Sequence, residues 1–460
     1  MHLQKTIPII HRICRISLLA FAICCSSVSI QAQDQLEIHQ INVGNGDGAL
    51  IKLLSGGAVV YTIVIDGGLA GSSNSFVPYL KEFIPDMTAH PGYKKVDWVI
   101  LSHNHQDHFN GLVQMFKDPA FVVGSITDQG GYTIGAANFS VEPNKATDAN
   151  SVPYITPSKS KKSPQQALVD YVKAVQTVDA RTFSVTKAHI TRIAPFDTTA
   201  KTFTSIPIPA TIAGSPLTMV CIATNAYTRG LTTTTARDIG SKNPNNFTFG
   251  WILQFGQFRF YSGGDLGGYT TGYTNQETPM ATYLAGTFTS NHPLDGTKTA
   301  TNFPGHVCVM KTNHHGSTNS SRPNFLQTLA YSAIVTSAGS HKRWKIPTVE
   351  FVDRVAANPS FGAVQGVYFT QIYDYKGDPA LSRANTKFKS KAAYNYVEPT
   401  DDPSGQYSYI FIVEKTTTYP IIPSGSKTVD ITAESTFQVE KVRSSDYDIT
   451  IQHFFKCHKP

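Results

Sequence analysis

An α/β fold is predicted by three features of the sequence. Near-continuous apolar runs such as "VVYTIVIDGG" and "KKVDWVILSHNHQDH" end abruptly in Asp, His and Gly, the pattern of strands buried on both faces. Segments at helical spacing, such as "NSFVPYLKEFI", lie between them. The composition, 41% hydrophobic and 15% charged over 460 residues, is that of an ordinary globular chain with a substantial core.

Residues 1–32 stand apart from this pattern. Lys5, Arg12 and Arg15 precede the short apolar run "ISLLAFAICC", and "IQA" ends at Ala32, a small residue suited to cleavage. The segment reads as a secretory signal peptide, and its apolar run is short for a membrane span. No later run is long enough to cross a bilayer, so the mature chain is expected to be secreted or periplasmic. Loss of those three cations lowers the formal charge from +7 to +4, too weak an excess to argue for nucleic acid by itself. Cys221, Cys308 and Cys457 remain, an odd number widely spaced, which predicts neither a disulfide framework nor a zinc ribbon. Cys221 and Cys308 lie in apolar runs and are expected in the core.

In chain order, "LEIHQINVGNGDGALIKLL" alternates on both sides of a Gly-rich turn and predicts two tightly joined strands. A strand ending at Asp66, a short helix and the strand running into "HNHQDH" follow. Further on, Ser163 and Pro164 signal a helix start, with Leu168, Tyr171, Val172 and Val175 at helical spacing. The basic loop before it, "PSKSKKS", reads as solvated. "NFTFGWILQFGQFRFYSGGD" predicts a hairpin turning near Gly256 and ending at Asp265. "GHVCVMKTNHHGS" and "SAIVTSAG" predict strands, "TVEFVDRVAA" a helix, and the chain is strand-rich from about Phe361. The expected division is a signal peptide (1–32), an α/β domain with a long middle insertion (33–360) and a C-terminal β-rich extension (361–460).

The chemistry gathers at strand ends. Asp66, Asp265 and His314-His315 each close a strand beside glycine, and so does "HNHQDH". Binding sites of α/β proteins lie at such C-terminal strand ends. Imidazole nitrogen with carboxylate oxygen suits zinc, and a loop leaving a strand can turn His103 and His105 to one ion and Asp107 and His108 to another. The competing reading is a histidine-rich surface loop. His39, His90, His292, His306, His453 and His458 are scattered and read as ordinary surface or core residues.

"HNHQDH" has the form HxHxDH and resembles the signature of the metallo-β-lactamase fold superfamily. "INVGNGDGALI", "VIDGG", "YSGGDL" and "KTNHHGS" resemble, in the same order, motifs of its competence-type (ComEC-like) branch. The resemblance covers about Leu36 to Val355. It implies a four-layer αββα sandwich with a metal site at one edge, holding one or two divalent ions, Zn2+ or Mn2+. It further implies that His103 and His105 bind the first ion and Asp107 and His108 the second. Asp265 would bridge them, His314 would complete one sphere, and Asp66 would orient the histidine loop. His315 is a ligand, a proton donor or a structural neighbour. Two family positions depart: the middle histidine, for which only His189 offers itself, and the last one, where Ile346 stands and His341 is nearby. Lys311 either neutralises an anionic substrate or is solvated, and Asp47 is read as structural.

The implied activity is hydrolysis by a metal-activated water, with Asp107, Asp265 and His315 as catalytic candidates. The competence-type resemblance tilts toward phosphodiesters or related anionic esters, small or polymeric, nucleic acid among them. A β-lactamase or lactonase and a non-catalytic binding protein are the alternatives. Nothing in the sequence sets the oligomeric state.

Overall fold

The computed structural model describes residues 34–69, 75–128, 163–179, 217–224, 244–268, 275–285, 306–339, 343–359, 366–389, 407–414, 436–443 and 449–457, with shorter pieces between them. The expected signal peptide, the "PSKSKKS" loop before Ser163, His189 and His341 lie outside the described residues.

The first sheet is built from β1 (Gln35–Gln40), β2 (Gly48–Ser55), β3 (Ala58–Gly67), β4 (His90–Ile100) and β5 (Phe121–Thr127). The helices α1 (Phe76–Phe83), α2 (Gln106–Lys117) and α3 (Ser163–Asp179) lie along it. The second sheet is built from β6 (Leu217–Thr224), β7 (Gly250–Phe255), β8 (Phe258–Ser262), β9 (Val309–Lys311), β10 (Ala333–Thr336), β11 (Gly366–Phe369) and β12 (Ala393–Asn395). Its helices are α4 (Glu277–Ala285), α5 (Pro323–Leu329), α6 (Val349–Ala356) and α7 (Ala380–Phe388). β13 (Tyr407–Glu414), β14 (Thr436–Arg443) and β15 (Ile449–Lys456) return to the first sheet, which runs β5-β4-β3-β2-β1-β13-β14-β15. The strand-rich C-terminal region is therefore shared between the two sheets.

Strand alternation explains the layers. On β1, Leu36 and Ile38 point into a core that Trp98, Trp251, Phe258, Phe411 and Phe437 fill from both sheets. The rings of Trp98 and Trp251 meet edge to face across it at 5.6 Å. The other face of the first sheet packs on α1, α2 and α3, where Leu168, Tyr171, Val172 and Val175 are buried as their spacing predicts. The far face of the second sheet packs on α4, α5, α6 and α7. The result is the αββα order implied by the resemblance. Among the described residues no helix is long and apolar enough to cross a membrane.

Two close approaches set the site. Helix α2 lies against the turn after β3, with Gly111 N donating to Gly68 O at 3.1 Å. A Cβ at Gly111 would stand 1.8 Å from Gly67 O, so only glycine allows the contact. The β1–β2 turn crosses above it: Asp47 N donates to Asp107 O at 3.2 Å, and a Cβ on Gly46 (φ +101°) would overlap that carbonyl.

Candidate metal centre

Four chain segments meet where the two sheets share an edge: the end of β3, the loop from β4 into α2, the turn after β8 and the turn after β9. Asp66, in the left-handed region at φ 58°, turns its carboxylate onto the β4 loop. It accepts from Ser102 N at 2.7 Å and Ser102 Oγ at 2.6 Å, and its Oδ2 lies 2.9 Å from His108 Nδ1. A carboxylate only accepts here, so Nδ1 of His108 carries a hydrogen and Nε2 is left facing inward. His315 is set in the same way, with Nδ1 donating to Ser337 O at 3.0 Å and Nε2 turned inward.

Asp265 is the point of convergence. Its Oδ1 lies 3.3 Å from His108 Nε2 and 3.2 Å from His315 Nε2. Its Oδ2 lies 3.5 Å from His103 Nε2 and 3.6 Å from His314 Nε2. One carboxylate thus divides four imidazoles into two pairs. His105 joins the Oδ2 side, its Nδ1 2.9 Å from His103 Nε2. Asp107 joins the Oδ1 side, its Oδ2 3.5 Å from His315 Nε2 and 3.9 Å from His108 Nε2. Asp107 is the most open carboxylate of the group, its side chain 34% exposed while that of Asp265 is 2% exposed.

These groups fit divalent cations. Asp265 Oδ1, His108 Nε2 and His315 Nε2 are buried and make no hydrogen bond of good geometry among the described residues. Three such atoms facing one another in a buried site call for a proton or a cation between them. Burial drives the pKa of His103, His105 and His314 down, keeping them neutral as ligation requires. Burial opposes charge on His108 and His315 as well. There the surrounding carboxylates, Asp265 foremost, outweigh it and hold both well above the ordinary imidazole range. Burial likewise works against the Asp265 carboxylate, but His315 and His108 more than offset it and hold that group well below its usual range. The centre concentrates negative charge that protons balance here and that cations would balance in their place.

Three residues carry contacts that their local sequence does not mark. Lys311, expected to be solvated or to meet substrate, is 1% exposed and ion-paired with Asp47, with Nζ 3.2 Å from Gly264 O. Asp47, read as structural, turns Oδ1 to within 3.4 Å of His315 Nδ1 and lies within the ligand cluster. The pair is separated by 264 residues, so no local pattern announces it. Glu277, on α4, was not singled out at all. It accepts from Asn313 Nδ2 at 2.7 Å, Ser321 N at 2.6 Å and Arg322 N at 2.7 Å, clamping the turn in which His314 and His315 adopt left-handed φ of 43° and 53°. Ile346 lies on the loop behind that turn, where Pro347 packs on Gly316. His315, and not a residue at 346, supplies the inward imidazole on that side.

Residues 59–191 match the family model of the metallo-beta-lactamase superfamily. That segment is similar to a metallo-beta-lactamase superfamily domain. The match spans β3, β4, α2 and β5, and so includes Asp66 and the whole of "HNHQDH". No curated protein matches the sequence. Among solved structures, CmlA, a diiron beta-hydroxylase from Streptomyces venezuelae, is 12% identical over 79% of this chain and 53% of its own, with a TM-score of 0.33. The chain thus spans about half the length of CmlA. A metallo-beta-lactamase motif mutant from Cronobacter sakazakii is 12% identical over 56% of this chain and 73% of its own, with a TM-score of 0.24. ST1585 from Sulfolobus tokodaii, an archaeal metallo-beta-lactamase superfamily protein, is 13% identical over 54% and 75%, with a TM-score of 0.23. Of the expected site residues, the structure brings His103, His105, Asp107, His108, Asp265, His314 and His315 to one edge.

Proposed function

We propose that this chain is an exported metal-dependent hydrolase acting on phosphodiesters or related anionic esters. The observation that carries the hydrolase reading is the division of four imidazoles between the two oxygens of Asp265. His103, His105 and Asp265, with His314 beside them, would hold one divalent ion. Asp107, His108, Asp265 and His315 would hold a second, Zn2+ or Mn2+ in either place. When bound, such ions acidify a water and polarise the oxygen under attack. The protein's own part is to fix directions. Asp66 and the Ser337 carbonyl hold the Nδ1 hydrogens of His108 and His315, which keeps both Nε2 lone pairs facing inward. Asp107, open to solvent on one side, is placed to orient the attacking water. Lys311 is committed to Asp47 and does not meet substrate.

The preference for an anionic ester is supported by the competence-type resemblance of the motifs and by a basic stretch near the His314-His315 turn. Pro347 packs on Gly316, directly after His315, and the residues leading into it are Arg343, Trp344 and Lys345. Arg343 and Lys345 are cationic, Trp344 is 59% exposed, and the Arg343 guanidinium lies 4.6 Å from its ring. Three residues reach at most about 11 Å, so this basic, aromatic stretch comes within that distance of Pro347, with Lys345 Nζ donating to Lys376 O at 2.8 Å. Export is supported by the signal-peptide pattern and by the disulfide between Cys308 and Cys457.

The test is metal content per chain together with turnover of a generic phosphodiester, a lactone and a β-lactam. One or two ions and selective phosphodiester cleavage are expected. Faster lactone or β-lactam cleavage would overturn the substrate reading. Bound metal with no turnover of any substrate, or no metal at all, would overturn the hydrolase reading in favour of a binding protein.

A further inference from the structure

A second buried group of metal-ligating side chains lies apart from the centre, at the other end of β9. Cys308 directly precedes that strand, whereas the site residues follow it. Cys457 directly follows β15 of the first sheet. The two sulfurs form a disulfide across a sequence separation of 149, tying one sheet to the other. The odd, widely spaced cysteines predict no disulfide framework, and one disulfide joins two of them. Cys221 is the remaining buried free thiol.

His306, read from the sequence as an ordinary residue, completes the group. Its Nδ1 lies 2.8 Å from Ala330 O, and its Nε2 lies 3.2 Å from Cys457 Sγ. A carbonyl oxygen only accepts, so Nδ1 carries the hydrogen. In the neutral ring Nε2 is then a lone pair facing sulfur. The three ligand atoms lie within 4.8 Å of one another, and all three residues are buried. Imidazole Nε2 with its Nδ1–H held by a carbonyl is the arrangement ligating histidines adopt. Two thiolates with one imidazole form a donor set that favours zinc over hard cations.

We propose that His306, Cys308 and Cys457 form a zinc site when the disulfide is reduced, so that the two sheets are fastened either by a covalent bond or by a metal. The exchange balances. A dithiol gives two electrons and two protons to the S–S bond, yielding two thiols and becoming a disulfide itself. Zn2+ then displaces the two thiol protons, binds both sulfurs and His306 Nε2, and leaves its fourth position to solvent. A disulfide oxidant reverses the sequence, taking two electrons from the thiolates and releasing the ion. This inference is independent of the hydrolase reading.

The full-length mature chain, reduced with a phosphine and freed of it, is titrated with Co2+ and then Zn2+. The catalytic centre contains no sulfur, so a thiolate-to-cobalt charge-transfer band reports on cysteine ligands alone. The reduced chain is expected to bind one more equivalent than the oxidised chain and to show that band. Zn2+ should bleach the band and slow disulfide formation by oxidised glutathione. His306→Ala, which leaves both cysteines in place, should weaken binding at least about tenfold, and Cys457→Ser should abolish the band. If the reduced chain unfolds without metal and refolds with it, the proposal stands. It falls if the reduced chain binds no more metal than the oxidised one, if metal fails to restore an unfolded reduced chain, or if His306→Ala binds Co2+ as tightly as the parent chain.

Discussion

Two buried histidine–carboxylate clusters, one on the first sheet and one where the two sheets share an edge, are built to opposite ends. The cluster on β1 joins His39, Glu37, Lys52 and Tyr79. His39 Nδ1 lies 2.9 Å from Tyr79 Oη, its Nε2 lies 3.0 Å from Glu37 Oε2, and that oxygen lies 2.6 Å from Lys52 Nζ. Both ring nitrogens are occupied and the acid has its own cation, so the network is closed. At the strand ends, His108 and His315 each spend only Nδ1 on the protein, and their Nε2 atoms are left facing Asp265. Burial and a neighbouring carboxylate are common to both clusters. What separates a structural cluster from a candidate site is whether the inward atoms are satisfied.

Four experiments press on that difference. The largest effect is expected at the open cluster, where Asp265→Ala, His103→Ala or Asp107→Ala should each remove bound metal or abolish hydrolysis while the far-ultraviolet circular dichroism of the fold stays intact. Full activity in Asp107→Ala and His103→Ala alike would discard the site assignment. Next is the ion pair beside it. Asp47→Ala leaves the Lys311 ammonium buried without its counter-charge, and denaturant titration should show a loss of about 3–5 kcal/mol. The double variant Asp47→Ala with Lys311→Met should recover most of it, and a strictly additive double variant would mean that the two side chains do not act as a pair.

The closed cluster should reveal itself through pH. Burial, ahead of its neighbours, holds His39 down to about 4 from an ordinary 6.5. The unfolded chain therefore takes up this proton first, and stability is lost as pH falls from 6.5 through about 4, by roughly 3 kcal/mol. Glu37 is held near 2 from 4.5, so its own contribution fades only at lower pH. His39→Gln should flatten the upper window relative to the parent chain, and identical profiles would show that His39 does not titrate on unfolding. The smallest effect belongs to the residue that aims a ligand without being one. Asp66→Asn should weaken metal binding about 10–100-fold, measured by competition with a chromophoric chelator. Unchanged affinity would mean that His108 needs no help in facing inward.

Much of the centre could be read from local pattern. Strand β4 announces its end because an apolar run stops at a polar loop, and the glycines beside Asp66 and Asp265 mark turns where side chains are presented at a sheet edge. "HNHQDH" carries its spacing within six residues. Asp47 reads as structural from its Gly-rich turn, and the crossing of that turn over Asp107 adds its place beside the site as the partner of Lys311. Lys311 was misread because a lysine at a strand end is usually solvated, and its burial depends on a carboxylate from β1–β2. Glu277 gives no signal because its three donors come from 36 to 45 residues downstream.

The sequence by itself determined the strand and helix alternation, the polar strand ends and the residue types gathered there, since each is set by neighbours a few positions away. The closure of the two sheets sets which imidazole nitrogen faces inward, that Asp265 divides four histidines between its two oxygens, that His315 turns Nε2 toward Asp265, and that Cys308 meets Cys457. Those outcomes depend on how two sheets close on each other, and a hydrogen bond or ligand contact is decided at a few tenths of an ångström, which no spacing along the chain encodes.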